Sequence, residues 1–125
     1  FYAWGAHAKL IGRNIDEFSL VEPSALPLRL DDKVRAALSL RANGPLPARI
    51  VGLQGPREQD AAPPQFAVAI NGTIRSIVPG APDGDAWRVA AMLPWDALDA
   101  APSELTVFEI HGSQQQPALR AIRLE

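Results

Sequence analysis

A chain of 125 residues with 47% hydrophobic and 21% charged residues and a formal net charge of -2 has the balance of a single folded domain, not of a disordered or fibrous protein. Its 12 Lys and Arg are scattered and offset by 14 Asp and Glu, which excludes the basic field that binding to DNA or RNA requires. No apolar run approaches the roughly 20 residues of a membrane-spanning helix, and the absence of cysteine excludes disulfides, thiolate metal sites and a Cys nucleophile.

Twelve prolines and nine glycines fall at short intervals. Proline lacks an amide donor and clashes with the preceding helical turn, so short strands joined by turns are expected in place of long helices. Phe1, Tyr2 and Trp4 make an aromatic cluster expected to dock against the rest of a longer protein. The start lacks both an initiator Met and a signal-like stretch, so residues 1–30 are expected to be an extended lead-in from an upstream region. Within that segment Asn14 can cap a short helical turn running to Phe18, and Asp16 and Glu17 suit its positive end.

Residues 33–41 fit two patterns: Val34, Ala36, Leu38 and Leu40 alternate as in a strand, which is the preferred reading, while Val34, Ala37, Leu38 and Arg41 suit a helix. Residues 49–53 form a strand candidate, followed by a loop over 56–64. Phe66-Ala-Val-Ala-Ile70 and Thr73-Ile-Arg-Ser-Ile-Val78 are β-prone runs around Asn71-Gly72, the dipeptide that tolerates the positive φ angles of a type I′ turn. They predict a β-hairpin. Residues 79–85 are a loop by composition. Beyond it, Trp87, Val89, Ala91 and Leu93 alternate with Arg88, Ala90 and Met92, placing Trp87 on the buried face of a strand. Residues 94–98 can make a single helical turn. The run 105–110 is apolar on both faces and predicts a central strand, and 118–124 predicts another.

Five or six strands with little room for crossover helices predict one mostly-β domain over 1–125. Its expected architecture is an antiparallel β-sandwich, immunoglobulin-like or jelly-roll-like, with one or two short helical turns.

Residue types that carry chemistry are sparse. His7 and His111 are the only histidines and have no second ligand at metal spacing, so they are expected to be isolated surface or edge residues. No serine stands in a Gly-x-Ser-x-Gly setting. The acidic pairs Asp31-Asp32, Asp16-Glu17 and Asp83 with Asp85 are expected in turns and solvated positions, and the segment 80–85 lacks a full calcium-loop pattern. No catalytic residue, metal or cofactor is therefore assigned. Trp4 and Trp95 are the candidate contacts for a partner or ligand, with Trp95 placed just after a strand where it can cover the end of the sandwich.

The run 66–78, followed by Trp87-Arg-Val-Ala-Ala-Met-Leu-Pro94 and Leu105-Thr-Val-Phe-Glu-Ile110, resembles a C-terminal region of bacterial membrane-anchored sulfatase-like proteins of the alkaline phosphatase superfamily. Leu10-Ile-Gly-Arg13 resembles the segment with which that region opens. The resemblance implies a non-catalytic extracytoplasmic accessory domain that packs against, or assists, an upstream catalytic domain of a parent anchored in the inner membrane. The family's nucleophile motif does not carry over, because Ala25-Leu-Pro-Leu-Arg29 has Ala25 where Cys or Ser should stand. At 100–104 the expected glycine and asparagine turn is replaced by Ala100-Ala-Pro-Ser-Glu104. The alternative reading of the same residues is a free-standing carbohydrate- or protein-binding β-sandwich module.

Overall fold

Alternation of apolar and polar side chains gives a strand one buried face, and two such faces must meet to exclude water. The computed structural model describes residues 10–32, 49–58, 60, 62–93, 104–112 and 117–125, and these form a β-sandwich of two mostly antiparallel sheets, as expected. Nine strands lie among the described residues: β1 (Ser19–Leu20), β2 (Leu28–Leu30), β3 (Arg49–Gln54), β4 (Gln65–Ile70), β5 (Thr73–Pro79), β6 (Ala81–Asp83), β7 (Ala86–Met92), β8 (Leu105–Gly112) and β9 (Pro117–Ile122). One sheet has the order β1-β9-β8-β4-β5 and the other β2-β3-β7-β6. The strand or helix expected over 33–41, the turn over 94–98 and the turn within 100–103 lie outside the described residues.

The predicted hairpin forms as β4 and β5, with Asn71 at φ 52° and Gly72 at φ 84° supplying its turn. Asn71 also anchors the far side of the sheet: its amide donates to Glu104 O and its Oδ1 accepts from Glu104 N at 2.8 Å. A bulge interrupts the register between Val68 and Ala69, where Ser76 and Ile74 are the successive partners and Arg75 is the extra residue. The alternation of β5 is reset there. Ile74 and Ile77 thus face one side of the sheet and Val78 the other.

Each sheet contributes half of the inner core. Phe66, Val68, Val107 and Ile122 from the five-stranded sheet meet Leu28, Ile50, Val89 and Ala91 from the four-stranded one. β8 is central, as predicted, and its apolar residues point both ways: Val107 enters this inner core, whereas Phe108 and Ile110 join a second apolar layer on the outer face.

That second layer holds Ala67, Ala69, Ile74, Ile77 and Leu119, and it is closed over by Leu10 with Ile11, Ile15 and Phe18. The segment expected as an extended lead-in therefore has structural work within the sandwich. Asn14 caps a three-residue 3-10 turn, Ile15–Glu17, as its sequence predicts. Gly12 N donates to Ile74 O at 2.7 Å and Ile15 N to Gly72 O at 2.8 Å, which covers the start of the β5 edge. β1 then pairs with β9, and β2 joins the opposite sheet.

Two observations correct the sequence reading. The β1–β9 pairing is parallel, which a purely antiparallel expectation did not include; almost the whole chain separates these strands, so no hairpin dictates their direction. Residues 79–85, expected as a loop, contain β6, which pairs antiparallel with β7. Proline and glycine suggested a loop, but Pro82 stands on an edge strand, one register step from the Asp83–Ala86 pair that closes the turn. By antiparallel alternation the missing amide falls where no ladder bond is made. Gly84, at φ 62°, takes the first central position of that turn.

After β9 the chain changes sheets. Leu28 N donates to Arg123 O, Glu125 N to Leu28 O and Leu30 N to Glu125 O, so residues 123–125 cover the free edge of β2. No helix among the described residues is long and apolar enough to cross a membrane.

Candidate functional site

At one end of the sandwich the inward positions of three strands turn polar, beside Phe66 and Val78 of the inner core. β3 continues its inward phase from Ile50 and Gly52 to Gln54, β8 from Val107 to Glu109, and β9 from Ile122 back to Arg120. Glu109 and Arg120 are register partners on neighbouring strands, and Gln54 is the register partner of Trp87 across β3 and β7. These four residues, with the segment 24–26 and the loop after β3, surround a cleft of about 440 Å³.

The cleft has a firm apolar wall. Trp87 is only 7% exposed, and the Arg57 guanidinium carbon lies 5.4 Å from its ring centroid. Arg57 is held in that place: its backbone amide donates to Asp85 O at 2.6 Å and its Nε to Gly84 O at 2.9 Å. Pro56, Pro64 and Leu26 complete the apolar lining.

On the polar side, Gln54 is almost fully enclosed and its Nε2 donates to Leu26 O at 3.0 Å. Ser24 Oγ accepts from Leu26 N at 3.1 Å, closing a tight turn at the rim. Arg120 is half-buried, and its Nε is fully shielded yet has no hydrogen-bond partner. A buried donor left unpaired costs about 1–3 kcal/mol. Glu109 lies on the adjacent strand and is approached instead by His111, whose Nε2 stands 3.1 Å from Glu109 Oε1 without hydrogen-bond alignment. Glu58 adds a second carboxylate from the loop.

A second, smaller groove of about 330 Å³ lies on the outer face of the four-stranded sheet, between Arg29, Arg88 and Asp83 over Val51 and Leu53. Beside the cleft runs an apolar lip. Of the four large hydrophobic side chains exposed among the described residues, Leu20, Val21 and Leu26 all lie within seven consecutive residues, and Leu20 is 67% exposed.

The structure sorts the sequence candidates as follows. Trp4, Trp95 and His7 lie outside the described residues. Trp87 is in the buried position that its alternation predicts and is also a wall of the cleft. Asp16 and Glu17 serve the capped turn, Asp83 lies on β6 and Asp85 in the turn that follows. Among the described residues no three His, Asp or Glu side chains are grouped to hold a metal ion. Sequence reasoning missed Gln54, Arg57, Glu109 and Arg120. A signal existed for three of them, since each continues the inward phase of an apolar alternation with a polar residue. Arg57 carries no such signal.

Fold and site together define a β-sandwich domain with a polar cleft at one end and an apolar lip beside it. Comparison of the chain with family models, curated proteins and solved structures finds no match.

Proposed function

We propose that this chain is a non-catalytic accessory domain of a membrane-anchored, extracytoplasmic enzyme of the sulfatase-like kind, and that it docks on the catalytic unit through the lip at 20–26. The observation that carries the reading is that Leu20, Val21 and Leu26, three of the four exposed large hydrophobic residues among those described, fall within seven consecutive residues, with Leu26 also lining the cleft. Scattered exposed hydrophobics are ordinary, but several within one short segment mark a stretch of chain that gains by being covered. The resemblance of 10–13, 66–78, 87–94 and 105–110 supports an upstream hydrolase or transferase domain as the covering partner.

Hydrogen exchange tests this on the full-length parent and on the isolated chain. The amides of Leu20 and Val21 are expected to be protected more strongly in the parent, and Leu20→Asp is expected to remove that difference while the capped turn at 14–17 is unaffected. Equal exchange of the lip in the two proteins would refute docking there.

The second reading is a free-standing binding module. It is favoured by one separate observation, the cleft itself, which combines an enclosed apolar wall with the polar and charged side chains of Gln54, Arg57, Glu58, Glu109 and Arg120 in the manner of a small-ligand site.

A further inference from the structure

We propose that the end cleft binds an uncharged saccharide, recognised by hydrogen bonds along one edge and not by stacking on an aromatic face. The proposal deepens the binding-module reading, and it stands or falls apart from docking of the lip.

The lining selects the ligand class. Among the described lining residues two guanidinium groups, Arg57 and Arg120, offset two carboxylates, Glu58 and Glu109, so these side chains bring no net formal charge with which to hold an anion. A phosphate or carboxylate ligand carries negative charge; it satisfies the arginines and is repelled by the carboxylates. A sugar hydroxyl supplies one donor and two acceptors from a single oxygen, so adjacent hydroxyls can accept from Arg120 and donate to Glu109, its register partner. Arg120 is half-buried and lines the cleft, so a sugar meets it through the accessible part of its guanidinium, whereas its Nε is shielded from a ligand as it is from solvent.

Geometry selects the mode. Among the described lining residues Trp87 is the aromatic one, and it is 7% exposed with the Arg57 guanidinium over its ring, so it offers no open face for a sugar to cover. Arg57 itself is fixed by the bond from its Nε to Gly84 O, so its outer nitrogens are held in place before a ligand arrives. At about 440 Å³ the cleft falls within the range of small-molecule sites and suits one or two sugar rings.

The test is a titration of the 125-residue chain, followed by backbone amide NMR, with the neutral methyl glycosides of glucose, galactose and mannose and with N-acetylglucosamine. Glucuronate and inorganic phosphate serve as charged comparators. At least one neutral sugar is expected to move the amides of Gln54, Arg57, Glu109 and Arg120, with a Kd of roughly millimolar order. Arg120→Leu and Glu109→Gln should each weaken it roughly tenfold or more while the folded amide pattern is kept. Should Arg120→Leu not fold, Glu109→Gln alone decides. Leu20→Asp, outside the cleft lining, should leave the titration unchanged, which separates this outcome from the fate of the docking surface. The proposal is overturned if no neutral sugar perturbs the cleft, if glucuronate or phosphate binds more tightly than every neutral sugar, or if Glu109→Gln binds as the unaltered chain does.

Discussion

Glu17 shows how a few neighbouring side chains govern one ionisation. Its Oε2 accepts from the Asn14 backbone amide at 2.9 Å, and its Oε1 from Arg13 Nε and Nη2 at 3.2 and 3.1 Å. The amide of Asn14 foremost, and then Arg13, hold the carboxyl below its ordinary value. A folded-state value depressed below the unfolded one contributes stability that is present above the unfolded value. That contribution is lost as pH falls through the folded value. A carbon-detected NMR titration is expected to place the Glu17 midpoint below that of a free glutamate, and Arg13→Ala should move it part of the way back. A midpoint at the ordinary value would contradict the capped geometry. The Asn14 cap and the place of Glu17 in its first turn were legible in the sequence because they lie within four residues of one another, whereas the pairing of Glu17 with Arg13 was not read there. Arg57 was not legible, because the groups that hold it, Gly84 and Asp85, are reached only after the chain has folded back.

Among the elements, the β4–β5 hairpin and the β7 strand were legible for a related reason: a period of two and a two-residue turn are local patterns. β6 was not, since its composition is that of a loop and only an edge position beside β7 allows Pro82 into a sheet. Gly52 has a comparable dependence on its neighbours. In the middle of β3, a Cβ added there would come within 2.9 Å of both Arg29 O and Leu28 Cγ on β2. Backbone cannot yield as a side-chain tip does, so β2 would be forced outward. Gly52→Ala is expected to destabilise the fold by about 1–3 kcal/mol, the usual cost of overpacking. Urea unfolding measures this, and an unchanged midpoint would mean that the two strands have slack which the close approach does not suggest. The loss should be accompanied by faster exchange of the Leu28 and Leu30 amides, which donate to residues 123–125.

On the scale of the whole molecule, the five-stranded sheet is apolar on both faces, and its outer layer needs a cover. Leu10 is 1% exposed and belongs to that layer, so the segment preceding β1 is part of the folded body. Leu10→Ala is expected to cost about 2–5 kcal/mol, as for other enclosed leucines. Thermal or urea unfolding provides the check, and a loss below about 0.5 kcal/mol, within the range of surface substitutions, would show that the outer layer closes without it. The polar cleft is likewise a property of the assembled molecule. Gln54, Glu109 and Arg120 come from three strands in two sheets and meet because the inward positions of β3, β8 and β9 turn polar at that end, beside Phe66 of the inner core.

By itself the sequence determined the β class, the hairpin turn, the capped turn and the buried side of β7, because each depends on interactions between residues close along the chain. Only the tertiary structure decided that residues 10–18 roof the outer face, that Pro82 is in a strand and that Gln54, Glu109 and Arg120 converge at one open end. Those outcomes depend on which faces and edges remain uncovered once the two sheets have paired, and solvent exclusion acts on the assembled surface, not on order along the chain.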